Sequence, residues 1–198
     1  MNLSGKIRLA LVFIGFTFFA IVVGYVGWKI SKQSSPISSV EQEQTISVSP
    51  VGKPMRLKIP NIGVDAVVES LALAPDGAMD TPKGPDTVAW FELGSLPGEN
   101  GSAVITGHYG TWKNGQGSVF DNLHQLKAGD KIYVEDENGV RTAFVVREQR
   151  SLEPNADATD IFSSEDEQSH LNLITCEGTW NKDSKSYSKR LVVFADKE

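Results

Sequence analysis

The sequence is poor in cysteine. Its 198 residues include only one, Cys176. The chain therefore cannot form an internal disulfide, although an exported domain is free to use one. A lone cysteine is either a small buried apolar residue or a free reactive thiol, and the count alone leaves both interpretations open.

Basic charge is also scarce after the N-terminal 32 residues. Beyond Lys32 there are 15 Lys and Arg residues against 25 Asp and Glu residues, a net charge of −10. This balance argues against nucleic acid as a partner, because phosphates would be repelled. It also argues against a domain that lies flat on an anionic membrane surface.

Charge is absent altogether from residues 9–28, LALVFIGFTFFAIVVGYVGW. A helix of that length spans roughly 30 Å, the thickness of the hydrocarbon core of a bilayer, so the sequence predicts a transmembrane helix after a short tail at 1–8. A cleavable signal peptide is the alternative, but its apolar stretch is usually only ~7–15 residues and ends at a small-residue cleavage site. Positive charges flank the segment almost equally, so charge alone does not fix its orientation.

Aromatic side chains are missing from residues 29–50, and seven of the residues 31–50 are serine. Such a segment cannot bury enough apolar surface to order itself, which predicts a flexible linker. The remaining residues, 51–198, are numerous enough to form one domain with a core of its own.

Helical periodicity is scarce in residues 51–198. Short apolar or alternating runs recur instead, and Pro, Gly, Asn and Asp separate them, which is typical of a β-barrel or sandwich of about eight strands. Two short helices are predicted, at 118–126 and at 160–168, where Ser164 and Glu167 have capping-box spacing. The predicted strands are 55–60, 64–73, 87–93, 102–108, 131–136, 141–148, 170–176 and 190–196.

Strand alternation bears on the role of Cys176. In HLNLITC, residues 170–176, Leu171 and Leu173 share one face and Cys176 lies on the other. Cys176 is thus out of phase with the leucines expected to fill the core. It also stands where the predicted strand ends, before a loop at 177–188, and a substrate could reach it there. This pattern favours a reactive thiol.

A thiol with an ordinary pKa is mostly protonated at neutral pH, so chemistry at Cys176 needs a basic or cationic neighbour. His108 ends a predicted strand and is the best candidate by elimination, although a surface histidine remains an alternative. His124 falls inside a predicted helix. His170 shares the Cys176 face but lies six residues away, roughly 20 Å along an extended strand.

Arg190 is the candidate cation. If the strand 190–196 pairs antiparallel with 170–176, the start of one lies beside the end of the other, and Arg190 neighbours Cys176. A guanidinium there could stabilise a thiolate, hold a substrate carbonyl or support an oxyanion. An ordinary exposed arginine is the alternative.

The segment LNLITCEGTWNKDSKSYSKRLVVFAD, residues 171–196, resembles the signature of the sortase family. In that family a strand ending Leu-x-Thr-Cys is followed, after a loop, by an arginine that opens the last strand; Leu173, Thr175, Cys176 and Arg190 match. ITGH at 105–108 is similar to the strand and histidine that precede the sortase active-site loop. Upstream, RLKIPNIGVDAVV, TPKGPDTVAWFELGSLPGENGSAVITGH and GSVFDNL resemble the class F branch in particular.

The resemblance implies an eight-stranded β-barrel, mainly β with one or two short helices, in which the strands ending at His108 and Cys176 are neighbours. It implies transpeptidation: Cys176 attacks the Thr–Gly amide of an LPXTG-like sorting signal, and His108 acts as general acid and then base. Arg190 would position the substrate and stabilise the oxyanion, and Thr175 would be a further substrate contact. The implied partners are sorting-signal proteins and an amine acceptor, either a cell-wall precursor or another protein. No cofactor is implied.

The apolar segment and linker fit the same layout, with the catalytic domain on the extracellular face of the cell membrane. Class A sortases can bind calcium, and Asp157, Asp160 and Glu165 keep that option open here. The competing enzyme classes fit less well: an L,D-transpeptidase needs a His-Gly-Cys run, and a papain-like protease needs its cysteine early, at a helix start. A membrane-tethered β-domain that binds a wall or protein ligand, with Cys176 merely buried, is the non-enzymatic alternative.

Overall fold

The structure, a computed structural model, describes residues 51–198. Within them lie eight β-strands and little helix, as the sequence predicts. The single α-helix of this part of the chain is α1 (Thr159–Phe162), and 3₁₀ turns occupy Pro60–Ile62 and Leu123–Gln125. The strands are β1 (Pro54–Ile59), β2 (Val64–Leu71), β3 (Val88–Phe91), β4 (Gly101–Gly107), β5 (Lys131–Asp136), β6 (Arg141–Leu152), β7 (Ser169–Asn181) and β8 (Ser186–Lys197).

The strands form a closed barrel in the order β1-β2-β3-β4-β7-β8-β6-β5. β2 pairs with β3 and β4 with β7 in parallel, and the other neighbours are antiparallel. The adjacency of β4 and β7, implied by the sortase resemblance, is confirmed. So is the antiparallel pairing of the last two strands.

Alternation along the strands fills the barrel interior with apolar side chains. Leu171 and Leu173 of β7 are fully buried there, on the face that the sequence predicts. The outer face of this part of the barrel is also covered, by a second cluster that α1 completes. Its buried members are Val104, Ile161, Val192 and Phe194.

The two predicted helices are largely wrong. Residues 118–126 contain only the 3₁₀ turn at Leu123–Gln125, and α1 ends at Phe162, before most of the predicted 160–168 helix. The Ser164 hydroxyl donates to Asp166 instead of capping a helix, and Glu167 has a φ of 58°. A backbone in that left-handed region cannot continue a right-handed helix.

The predicted loop at 177–188 is also wrong for most of its length. β7 runs on past Cys176 to Asn181, and β8 already begins at Ser186. The ladder is irregular between Glu177 and Trp180, around Gly178, but does not end there. Gly178 has a φ of 85°, which glycine adopts easily, so the ladder resumes beyond it.

The predicted tail at 1–8, membrane helix at 9–28 and linker at 29–50 all lie outside the described residues. Among residues 51–198, no helix has the length and apolar character needed to cross a membrane.

Candidate active site

Three neighbouring strands bring the predicted site residues together. The β4–β7 register pairs Thr106 with Ile174, and His108 directly follows the end of β4. The β7–β8 register places Cys176 opposite Arg190. Cys176, His108 and Arg190 all line one cavity of about 540 Å³.

Cys176 is half-buried on the strand face opposite the core leucines. Burial raises the pKa of its thiol above the ordinary value, because the charged thiolate loses solvation, while the nearby Arg190 charge acts in the lowering direction. Because Cys176 is only half-buried and lines the cavity, its side chain is accessible from there. Because its pKa is raised, the thiol carries its proton at neutral pH.

His108 is held from two sides. Its Nε2 lies 2.7 Å from the backbone carbonyl oxygen of Pro82, and its ring packs against Trp112 with a centroid distance of 4.8 Å. Both partners come from loops: Pro82 lies between β2 and β3, and Trp112 follows β4. The imidazole is thus a half-buried, oriented group at the cavity wall and not a free surface histidine.

Arg190 is half-buried, and its guanidinium is bonded to its own hairpin. One terminal nitrogen donates to the Lys189 carbonyl at 2.9 Å and to the Tyr187 carbonyl at 3.2 Å, and the other donates to the Ser186 hydroxyl at 3.3 Å. These contacts fix the orientation of the planar group beside Cys176. A cation fixed in this way can stabilise developing negative charge without having to move.

Thr175 lies in the barrel interior. Its side chain is buried, and its hydroxyl donates to the Gly107 carbonyl at 2.8 Å. In return the Thr106 hydroxyl donates to the Ile174 carbonyl at 3.2 Å. The two bonds link the end of β4, which carries His108, to the end of β7, which carries Cys176. The hydroxyl of Thr175 thus has a partner within the barrel, and its contact with a substrate stays a prediction.

Two segments form the walls of the cavity. One is the segment between β2 and β3, which contributes Met79, Asp80 and Pro82, and the other runs from the end of β6 through α1, with Ile161 and Phe162. Both are largely apolar. In the sequence the first wall is marked by turn residues alone, and Trp112 carries no motif that could mark it.

Aromatic side chains crowd the hairpin beyond Cys176. The Tyr187 ring packs edge-on against Tyr109 and Trp180, with centroid distances of 5.4 and 5.1 Å. A smaller cavity of about 240 Å³ also reaches Cys176, between Tyr109 and Glu177. The thiol can thus be approached from two directions.

The other two histidines lie elsewhere. His124 is exposed, with Nδ1 at 3.1 Å from the Asp121 carbonyl oxygen. His170 is buried and bonded to Asp166 and Asp196, outside the cavity around Cys176.

No cluster of three or more His, Cys, Asp or Glu side chains suited to a metal ion occurs in residues 51–198. Of the residues considered for calcium, Asp160 is paired with Arg150 at 2.6 Å. Asp157 accepts hydrogen bonds from the Thr159 hydroxyl and amide, which lower the pKa of Asp157 below its ordinary value. These carboxylates have partners within the protein.

Comparison with known protein families gives a match. The family model described as Sortase domain matches residues 57–198. A comparison with curated protein sequences gave no match.

Solved structures with the same fold include sortase C-1 from Actinomyces oris, 28% identical with a TM-score of 0.57, covering 72% of either chain. Sortase C1 of Streptococcus agalactiae is 26% identical with a TM-score of 0.57, covering 72% of this chain and 66% of that one. Sortase A from Corynebacterium diphtheriae, 24% identical, covers 75% of this chain and 61% of that one with a TM-score of 0.59, and at that identity the likeness concerns the fold alone.

Proposed function

The chain belongs to the sortase family of cysteine transpeptidases, and from this premise we propose that it cleaves an LPXTG-like sorting signal between Thr and Gly and transfers the new carboxyl end to an amine of the cell wall. The observation that supports this proposal is that Cys176, His108 and Arg190 line one cavity. A nucleophile, a proton donor and a fixed cation within one cavity are what acyl transfer through a thioester requires.

In the first half-reaction the Cys176 sulfur, as thiolate, attacks the Thr carbonyl carbon. The carbonyl oxygen becomes an oxyanion, which the Arg190 guanidinium stabilises. When the C–N bond breaks, the departing glycine amine takes a proton from the His108 imidazolium. The product is a thioacyl enzyme with neutral His108.

In the second half-reaction an acceptor amine attacks the thioester carbon. His108 removes a proton from the attacking amine, the C–S bond breaks, and the thiolate and imidazolium are regenerated. Because burial raises the pKa of Cys176, this thiolate–imidazolium pair is a minor form of the resting enzyme.

The shape of the cavity supports an extended peptide substrate. Its two apolar walls, from the β2–β3 segment and from α1, face each other across the site and expose Met79 and Phe162 to it. Apolar walls suit the Leu-Pro end of the signal. The acidic residues Asp76, Asp80 and Glu153 also line the cavity.

The test is an assay of the full chain with an LPXTG peptide and a diglycine or diaminopimelate-type amine, followed by mass spectrometry. We expect cleavage after Thr and a new peptide–amine product, both lost in Cys176→Ala. Undiminished cleavage by His108→Ala would contradict the assigned mechanism.

A non-enzymatic β-domain is the second candidate function. It requires Cys176 to be shielded, whereas Cys176 is half-buried and lines two cavities. A thiol-reactive probe applied to the folded protein separates the two: labelling of Cys176 supports the enzyme, and its absence supports the binding domain.

We further propose that residues 9–28 anchor the protein in the cell membrane, with the catalytic domain outside. The support is the uncharged apolar run of 20 residues followed by the serine-rich linker. Fractionation of cells that express the full chain or a chain beginning at residue 29 tests this, since only the full chain should remain with the membrane. The class F assignment stays a prediction, because the compared structures are named sortase C and sortase A.

A further inference from the structure

We propose that the backbone carbonyl of Pro82 is the group that orients His108, and that Glu69 is a positioning residue which holds that carbonyl in place. The proposal rests on the proposed role of His108 in acyl transfer. In this arrangement a backbone carbonyl orients the imidazole, a role that a carboxylate or amide side chain could otherwise fill.

The hydrogen bond itself determines which ring nitrogen carries a proton. The Pro82 oxygen lies 2.7 Å from Nε2 of His108. A carbonyl oxygen can only accept, so Nε2 must donate and must carry the hydrogen. Neutral His108 is then the Nε2–H tautomer, and Nδ1 is the nitrogen left to exchange a proton with the reacting groups.

Trp112 restricts the ring further. Its indole packs against the imidazole at a centroid distance of 4.8 Å and an interplanar angle of 54°. A flip of the ring about Cβ–Cγ would place Cε1 where Nε2 lies and Cδ2 where Nδ1 lies, and would break the Pro82 bond. The ring is therefore held in the one orientation in which Nε2 faces Pro82.

The position of Pro82 depends on Glu69, a residue of β2. One carboxylate oxygen of Glu69 accepts the Lys83 amide at 3.3 Å and the Thr87 hydroxyl at 2.7 Å. Both donors lie on the segment that carries Pro82: Lys83 follows Pro82 directly, and Thr87 lies five residues after it. Glu69 thus ties the segment to the barrel, and Pro82 itself is buried.

The arrangement assigns the proton path in both half-reactions. In acylation the Nδ1 proton of the imidazolium goes to the departing amine nitrogen as the C–N bond breaks. In deacylation Nδ1 accepts a proton from the attacking amine as the C–S bond breaks and the thiolate leaves. Nε2 keeps its proton throughout and donates it in a hydrogen bond to the Pro82 carbonyl, so one nitrogen anchors the ring while the other reacts.

The first test is nuclear magnetic resonance of the full chain labelled with ¹⁵N-histidine, at about pH 8, where a histidine with an ordinary pKa is neutral. The His108 signals are assigned by their loss in His108→Gln. We expect a protonated Nε2 whose hydrogen exchanges slowly with water, and an unprotonated Nδ1. His124 is the internal reference, because its Nδ1 and not its Nε2 faces a carbonyl. A His108 ring protonated on Nδ1, or an Nε2 hydrogen that exchanges as fast as in a free peptide, would overturn the proposal.

The second test uses variants of Glu69. Glu69→Ala removes the acceptor for both donors, and we expect loss of the slow Nε2 hydrogen together with a fall in kcat of up to about 100-fold, since small misplacements of catalytic groups cost that much. Glu69→Gln keeps an acceptor oxygen and should restore both. Glu99→Ala is the matched control, because Glu99 also accepts a loop amide, from Leu96 at 3.2 Å, but the loop that it holds, residues 96–99, contributes no residue to the cavity.

If Glu69→Ala does not fold, Thr87→Val provides a milder version that removes one of the two bonds. A normal Nε2 signal in a folded Glu69→Ala or Thr87→Val protein would contradict the role of Glu69. The two proposals also fail separately. A Nε2 hydrogen that depends on Glu69, in a protein that does not cleave the LPXTG peptide, supports the positioning contact and contradicts the proposed substrate. Cleavage of the LPXTG peptide by a protein that lacks the slowly exchanging Nε2 hydrogen would support the proposed substrate and contradict the positioning contact.

Discussion

Burial and a neighbouring cation act on the Cys176 thiol in opposite directions. Burial is the stronger effect, so the pKa of Cys176 lies above its ordinary value of 9.0 even though Arg190 lowers it. At the scale of this one residue, the balance of the two effects keeps the thiol protonated at neutral pH. A permanently charged thiolate would need more cations or less burial.

Removal of the Arg190 charge should raise the pKa of Cys176 further. We expect the rate of alkylation by iodoacetamide to increase with pH in both proteins. The pH at the midpoint of that increase should be higher in Arg190→Gln than in the wild type. Lys189→Gln is the control: it removes the same charge from the adjacent, exposed position, and Lys189 does not contribute to the Cys176 shift. Equal midpoints in the two variants would mean that Arg190 acts only through net charge.

Arg190 should also be only partly replaceable by lysine. Both terminal nitrogens of its guanidinium donate hydrogen bonds within the hairpin, to the Lys189 carbonyl and the Ser186 hydroxyl. A lysine side chain keeps the positive charge but cannot donate from two nitrogens. We expect kcat/KM for an LPXTG peptide to fall about tenfold in Arg190→Lys, or about 1.4 kcal/mol, and about 100- to 1,000-fold in Arg190→Met. Steady-state kinetics measures both, and a fully active Arg190→Met would remove Arg190 from the mechanism. Lys189→Met should be unaffected.

At the scale of the strands, the end of β4 depends on a glycine. A Cβ at Gly107 would lie 2.5 Å from Phe120 Cδ2 and 2.8 Å from a Val119 methyl carbon. The residue before His108 therefore makes room for side chains of the following turn. Phe120 can pack fully buried against the strand end that carries His108.

Gly107→Ala should therefore destabilise the fold and displace His108. Overpacking of a closed core costs roughly 1–3 kcal/mol, which urea unfolding would detect. Gly94→Ala is the matched control, because its Cβ would meet its neighbours at 3.4 Å or more. If both variants unfold at the same urea concentration as the wild type, the strand end tolerates the methyl group and the packing argument fails.

The strands were predictable because alternation and turn residues are local signals. Cys176 and Arg190 could be paired in advance since an antiparallel hairpin places the end of one strand beside the start of the next. The length of that hairpin could not be predicted, because Gly178 indicates a strand end in the sequence but forms an irregularity within the ladder. Pro82 also gave no signal: it acts through a backbone atom, 26 residues before His108 in sequence.

At the scale of the whole molecule, the shape of the large cavity depends on how its outer wall is attached to the barrel. The wall segment between β6 and β7 is held by Ile161 in the outer apolar cluster and by the Asn172 side chain, which donates to the Ile161 carbonyl at 2.6 Å. Arg150 pairs with Asp160 at 2.6 Å. A fourth attachment is His170, which the sequence placed too far from Cys176 for catalysis and which instead joins this segment to β8.

His170 makes that attachment through two carboxylates. Nδ1 lies 2.7 Å from Asp196 and Nε2 2.9 Å from Asp166, while Asp196 also pairs with Arg147 at 3.1 Å. Burial alone would lower the pKa of His170, but the hydrogen bonds and charges of Asp166 and Asp196 outweigh it, so the pKa is raised above its ordinary 6.5. Hydrogen bonds from Ser164 and then from His170 lower the pKa of Asp166 below its ordinary 3.8.

These two shifts predict how stability depends on pH. The raised pKa of His170 contributes stability that is fully present below pH 6.5 and is lost as pH rises through the folded-state pKa. The lowered pKa of Asp166 contributes stability that is fully present above pH 3.8 and is lost as pH falls through the folded-state pKa. Replacing His170 by Gln should therefore lower the free energy of unfolding most between these limits. The expected loss is about 1 kcal/mol, because the side chain of Asp166 is half exposed and solvent weakens its pairing. The difference from wild type should shrink as pH rises above 6.5, whereas the exposed His124→Gln should show no such trend. A His170→Gln effect that stays constant from pH 5 to about pH 9 would mean that His170 stabilises the wall by packing alone and that its charge does not matter.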